Sequence, residues 1–142
     1  MRRGVLDTNV IVSAAIASTG PRHEILTAWR EGQWELVISP TILAEVERVL
    51  NHPRIARAYA LARQEAAEIL RLLASRASMR PGRVVIPRTT RDPAGDHVLA
   101  CAIEGHADYL VTGDRDLLSI GRYKGIPIVS PAAFPAILQA AR

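Results

Sequence analysis

The chain has one cysteine, Cys101, one lysine, Lys124, and aromatic residues at only 4% of its length. A lone cysteine excludes an internal disulfide. Cys101 lies in the apolar stretch Val98-Leu99-Ala100-Cys101-Ala102-Ile103 with no activating polar group beside it, the setting of an inert buried thiol. Scarce aromatics weigh against binding modes built on base stacking, which need exposed rings. No stretch approaches the roughly 20 uninterrupted apolar residues that a membrane-spanning helix requires. Asp7 also falls where a secretory signal would carry its apolar run, so a cytoplasmic protein without membrane association is expected.

What is present bounds the answer further. With 142 residues and 49% hydrophobic content, the chain can bury one sizeable core, and a single domain over residues 1–142 is expected. Basic residues outnumber acidic ones 18 to 14, for a formal charge of +4. All of the basic residues except Lys124 are arginines, whose planar forks match phosphate geometry. This balance fits a polyanionic partner such as nucleic acid without establishing one.

Short apolar, β-rich runs alternate with helical patterns, which predicts an α/β fold on a mainly parallel sheet. Five strands are expected: Gly4 to Leu6, Trp34 to Ile38, Val84 to Ile86, Tyr109 to Val111 and Ile126 to Val129. Apart from Glu35 each is apolar, as strands covered by helices on both faces are, so the layers should be α/β/α. Pro21, Pro40 and Pro131 fit first helical positions, with Ser39 and Ser130 as N-caps for the latter two. Pro53 to Ser75 reads as a helical hairpin. Residues 80–91 hold Arg80, Arg83, Arg88 and Arg91 among Pro81, Gly82 and Pro87, and form either a solvated basic loop or a phosphate-gripping rim.

Four segments carry chemistry. In Val5-Leu6-Asp7-Thr8-Asn9-Val10 a carboxylate follows a strand and precedes a helix, the place where doubly wound sheets collect ligands, though Asp7 would equally suit an N-cap. Leu110-Val111-Thr112-Gly113-Asp114-Arg115-Asp116 repeats the strand-then-acid pattern. If those two strands are neighbours, Asp7 and Asp114 share one crevice and repel unless a cation joins them; hard ions such as Mg²⁺ or Mn²⁺ take oxygen ligands and need no His or Cys. Asp116 is open between ligand, ion-pair partner and cap. In the third segment, 91–102, Asp96 opens an apolar helix and reads first as its cap and second as a ligand, favoured by the helix dipole either way, with Asp92 shaping the turn before Pro93 and His97 alongside. In the fourth, Glu45 and Glu47 sit on opposite edges of the helix after Pro40, and periodicity cannot choose between them.

Taken in order, Leu-Asp-Thr-Asn-Val, Ser-Pro-x-x-Leu-x-Glu-Val, Asp-x-x-Leu-Ala-x-Ala and Leu-Val-Thr-Gly-Asp-Arg-Asp-Leu-Leu resemble a PIN domain over nearly the whole chain. The resemblance is greatest to toxins of toxin-antitoxin systems, of the VapC type. It implies a metal-dependent ribonuclease in which Asp7, Glu45, Asp96 and Asp114 match the metal-binding acids, choosing Glu45 over Glu47. Asn9, Thr112 and Asp116 match supporting positions, with Asp116 also a possible ligand, and Arg83, Arg88 and Arg91 would contact RNA. It further implies Mg²⁺ or Mn²⁺, an antitoxin partner and a homodimer. The sequence departs from the pattern at Ala94 and Gly95, where relatives often carry acids, leaving Asp92 as the spare carboxylate. Two alternatives stand beside this reading. One is a non-catalytic RNA-binding or dimerisation module on the same fold. The other is a phosphatase of the haloacid-dehalogenase kind, which the segment Gly4 to Val10 resembles but which would need an acid at Asn9.

Overall fold

A computed structural model describes residues 1–140. Its elements in chain order are β1 (Arg3–Leu6), α1 (Thr8–Ile16), α2 (Gly20–Arg30), β2 (Glu35–Ile38), α3 (Pro40–Leu50), α4 (Pro53–Ala58) and α5 (Arg63–Arg76). There follow β3 (Ser78–Met79), α6 (Pro93–Glu104), β4 (Tyr109–Val111), α7 (Arg115–Ile120), β5 (Arg122–Tyr123), β6 (Ile126–Val129) and α8 (Phe134–Ala140). The strands form one sheet in the order β3-β2-β1-β4-β6-β5, parallel except where β5 runs against β6. Helices flank it, and α6 packs on β1, β2 and β4. No helix among the described residues is long and apolar enough to cross a membrane.

The order explains where a site forms. From β1 the chain winds outward to β2 and β3, then returns to β4 on the other side of β1, so direction reverses between β1 and β4. Their register pairs Leu6 with Val111, and the ladder runs on through the Asp7 N–H to the Val111 carbonyl at 2.9 Å. The loops that leave the two carboxyl ends must diverge there, opening a crevice. The strands beneath it are anchored by a dry core in which Val5, Leu6, Leu110 and Val111 are fully buried. Beside it, Trp34 meets Phe134 edge to face at 5.3 Å and donates its indole N–H to the Ile25 carbonyl.

Four of the five expected strands form within a residue of the predicted bounds. The third does not: residues 84–86 are irregular, and the strand on β2 is Ser78–Met79, continued by the Arg80 N–H to the Ile38 carbonyl at 2.8 Å. The reason lies in the backbone donors. Those of Gly82, Arg83 and Val84 all turn to the Glu104 carboxylate at 2.8, 2.8 and 3.1 Å, while Val85 is 90% exposed. An apolar run between two prolines mimicked a strand whose hydrogen bonds had gone elsewhere. A sixth strand, β5, went unread; it pairs with β6 through a two-residue hairpin at Lys124 and Gly125, with φ of 47° and 84°. The last helix starts a turn later than Pro131, with Ser130 Oγ accepting the Ala133 N–H. The expected helical hairpin is α4 and α5. Burial pushes the Cys101 thiol up to about 11, which keeps it inert as expected.

Glu104 thus carries the arginine-rich loop. Burial alone would raise its carboxyl, but the three backbone donors and Arg80 outweigh that and hold it below the usual range. Glu104→Gln should therefore free Gly82 to Val84, seen as faster amide exchange there, with a modest stability loss of about 1 kcal/mol. Unchanged exchange at these three amides would show that the loop has another anchor.

Candidate active site

Asp7 occupies the N-cap position of α1, yet its side chain makes no capping hydrogen bond. The carboxylate is directed to Thr112 instead. Thr112 is fully buried; its hydroxyl donates to Asp7 Oδ2 at 2.7 Å while its oxygen accepts the Asp114 N–H at 3.0 Å. One hydroxyl so joins the end of β1 to the end of β4, and its single proton is committed to Asp7. Burial raises the Asp7 carboxyl above the ordinary aspartate range. The negative charges of Asp114 and Glu45 raise it further, against the Thr112 hydroxyl and Thr8 N–H, which lower it.

Glu45 arrives from α3, which packs on α1. Ser39 caps that helix by accepting the Ile42 N–H, and Ile42 and Val46 turn inward, which leaves Glu45 on the edge nearest α1. There Glu45 Oε2 accepts the Thr8 hydroxyl at 2.9 Å. Glu47, on the opposite edge, is exposed and lines a different concavity of about 870 Å³ between α3, α4 and α5. The carboxylate cleft itself has a volume of about 320 Å³ and is lined by Asp7, Asn9, Glu45, Arg48, Asp92 and His97 among others.

The remaining acids are placed differently. Asp114 caps α7, accepting the Asp116 N–H at 2.8 Å. Asp92, not Asp96, caps α6, through Asp92 Oδ1 and the Ala94 N–H. Asp96 sits one turn in, and its Oδ1 accepts the backbone N–H groups of Thr89 and Thr90 at 3.1 and 2.8 Å and the Thr90 hydroxyl at 3.0 Å. Burial would raise Asp96, but these donors and Arg88, 3.7 Å from its Oδ2, hold it below the usual range. Asp116 Oδ2 accepts the Arg91 N–H at 3.0 Å. Asp96 and Asp116 therefore secure the arginine loop at the rim of the site.

The loop arginines Arg83, Arg88 and Arg91 are all exposed, but Arg88 is tied to its own loop, donating to the carbonyls of Thr90 and Arg91 at 3.1 and 2.6 Å. Two cleft groups, Thr8 and Arg48, had no role in the sequence reading. Arg48 lies three residues after Glu45, a spacing that places both on neighbouring positions of one helix surface, and that was the available signal.

The donor set suits a hard divalent cation. Asp7, Glu45 and Asp114 supply only oxygen, repel one another, and no basic side chain is hydrogen-bonded to Asp7 among the described residues. Within the same residues no three acidic, histidine or cysteine side chains are already gathered into a metal cage. Each of the three carboxylates is instead engaged by a protein donor: Thr112 on Asp7, Thr8 on Glu45, the Asp116 N–H on Asp114.

The model of the PIN domain family matches residues 3–116 of the chain. No curated protein matches it. Among solved structures, VapBC2 from Rickettsia felis bound to a DNA fragment from their promoter is similar in fold. Its TM-score is 0.58 at 14% identity, over 90% of this chain and 98% of the other.

Proposed function

The chain belongs to the PIN-domain family, and from that premise we propose that it is a divalent-metal-dependent endoribonuclease, formed as one domain and acting as the toxin of a toxin-antitoxin pair. The observation that carries this reading is Asp7: a desolvated carboxylate at the sheet's switch point, spared from capping and facing two further acids, with no basic side chain hydrogen-bonded to it among the described residues. A group so placed is destabilised until a cation arrives, the signature of a functional rather than a structural acid.

Asp7, Glu45 and Asp114 would hold the Mg²⁺ or Mn²⁺, joined by Asp96 through Oδ2, which accepts no hydrogen bond from Thr89 or Thr90 and has Arg88 3.7 Å away. When bound, such an ion supplies a water acidic enough to attack and offsets charge on the phosphoryl oxygens. The chain's own residues do the rest. Thr112 fixes Asp7, Thr8 orients Glu45, and Asp114 is set by its helix. Asn9, Asp92 and Asp116 support the walls. Hydrolysis would break the bond from phosphorus to the 3′ oxygen, with the water oxygen forming the new one, and leave a 5′-phosphate and a 3′-hydroxyl. The exposed Arg83 and Arg91 stand where an RNA backbone would enter, while Arg88 acts by holding their loop in place. An antitoxin protein and a second copy of the chain are the proposed partners, in the cytoplasm.

The test is Mg²⁺-dependent cleavage of RNA, run beside a generic phosphatase substrate. RNA cleavage alone supports the nuclease; phosphate release points to the dehalogenase-like alternative; binding without either points to the non-catalytic module. Within that assay Glu45→Gln should lower the rate by at least about one to two orders of magnitude, the cost of losing even an outer partner of a metal ligand, while Glu47→Gln should be nearly silent. The reverse pattern would place the site on the wrong edge of α3.

A further inference from the structure

Of the six aromatic residues, Trp29, Trp34 and Phe134 are buried, Tyr109 packs on Phe134 and Tyr123 is partly buried. Tyr59 alone is exposed, at 57%. It follows α4, a helix with no buried residue, and is held by its N–H to the Ile55 carbonyl at 3.1 Å, with Ala60 turning the chain away at a φ of 49°. A lone exposed tyrosine is ordinary surface. This one lines a groove of about 310 Å³ together with Ser13, Ile16, Thr19 and Arg22.

Two observations join that groove to the carboxylates. A carbon added at Gly113 would lie 3.6 Å from Arg22 Nη2, so the guanidinium rests against the turn between Thr112 and Asp114. Asn9 lines the acidic cleft and Ser13 lines the groove, one turn apart on α1 and tied by the Ser13 hydroxyl to the Asn9 carbonyl at 2.7 Å. Arg22 is the one charged side chain lining the groove. Among the described residues it has no acid paired with it. The cleft is lined by Asp7, Glu45 and Asp92 beside Arg48 and His97, whereas the adjoining groove has Arg22 as its charge and Tyr59 as its aromatic ring.

We propose that this groove is a subsite for the single-stranded RNA leading away from the cleavage point, in which Arg22 contacts a phosphate beside Asp114 and a base stacks on Tyr59. The inference rests on the nuclease reading and gives it a substrate form: the strand must be unpaired here, since a ring can stack only on a base released from its helix. Arginine beside the acids also attracts the backbone where the carboxylates repel it, so the strand is aligned before it meets them.

Affinity for a labelled single-stranded octaribonucleotide, measured by anisotropy in chelator at low salt, tests the groove without any cleavage. Tyr59→Ala should weaken binding roughly five- to a hundredfold, the range for losing one stacked base, while Tyr59→Phe keeps the ring and should bind like wild type. Replacing the bases one at a time by abasic sites should find a position that costs wild type affinity and is silent in Tyr59→Ala, as coupled partners behave in a double-mutant cycle. Arg22→Ala should lower the log-log salt slope by about one. Equal affinity of Tyr59→Ala and wild type, with no abasic coupling, overturns the subsite and leaves the ring to a protein partner. The two readings fail separately: this binding signature without Mg²⁺-dependent cleavage removes the nuclease but keeps the subsite, whereas cleavage with an unchanged KM in Tyr59→Ala removes the subsite alone.

Discussion

Asp7→Asn should abolish Mg²⁺-dependent RNA cleavage, with a loss of roughly a hundredfold or more, the scale of removing one electrostatic contact to charge that develops in the reaction. The substitution keeps the volume of the side chain and an oxygen that can still accept the Thr112 hydroxyl. Folding should therefore be intact, and circular dichroism and gel filtration should match wild type. What is lost is the negative charge at the point where β1 and β4 diverge. Thr112→Val removes only the hydroxyl that sets Asp7 and receives the Asp114 N–H, so its loss should be smaller and partial. Wild-type activity in Asp7→Asn would separate this acid from the chemistry and leave it the structural role of joining β1 to β4 through Thr112.

Stability should move in the opposite sense to activity. Because burial raises the Asp7 carboxyl in the folded protein, the metal-free fold binds more protons than the unfolded chain only between the unfolded and folded pKa values of this group. The contribution is present below the unfolded aspartate pKa and is lost as pH rises through the higher folded value. Asp96 and Glu104, both held low, contribute oppositely: their stabilisation is present above the unfolded carboxylate pKa and is lost as pH falls through their folded values. The whole-protein profile mixes these signs, but the difference between wild type and Asp7→Asn isolates Asp7. Asp7→Asn should melt higher than wild type in chelator near neutral pH, and the gap should close toward acid. Mg²⁺ at a hundredfold excess over Kd should stabilise wild type by about 2.7 kcal/mol and Asp7→Asn by much less. Thermal melts of the two proteins across pH, in chelator and in Mg²⁺, provide the check. A mutant that melts lower than wild type in chelator, with no Mg²⁺ shift in wild type, would be incompatible with a carboxylate cluster awaiting a cation.

Much of this arrangement was legible beforehand because it is written in local pattern. An apolar run ending in an acid marks both β1 with Asp7 and β4 with Asp114, and burial of a parallel strand on both faces makes that run visible. Serine before proline marks the start of α3 and so the frame that carries Glu45. Residues 84–86 had the same apolar signature and were misread, since nothing local says that the N–H groups of Gly82, Arg83 and Val84 face the carboxylate of Glu104 on α6. Two-residue strands such as β3 and β5 leave too little periodicity to detect.

The sequence by itself determined the α/β class, four of the six strands, and which acids follow strands, because hydrophobic period and turn chemistry act over a few residues. Tertiary structure alone decided how each acid is employed. Asp92 and Asp96 lie four residues apart on one segment, yet one caps α6 and the other holds the loop at Thr89 and Thr90. Glu45 and Glu47 differ only in which side of α3 meets α1. Arg22 and Tyr59 border one groove although 37 residues separate them. A carboxylate's charge is intrinsic, but its desolvation and its donors come from whatever the fold packs against it, and that is a property of distant residues brought close.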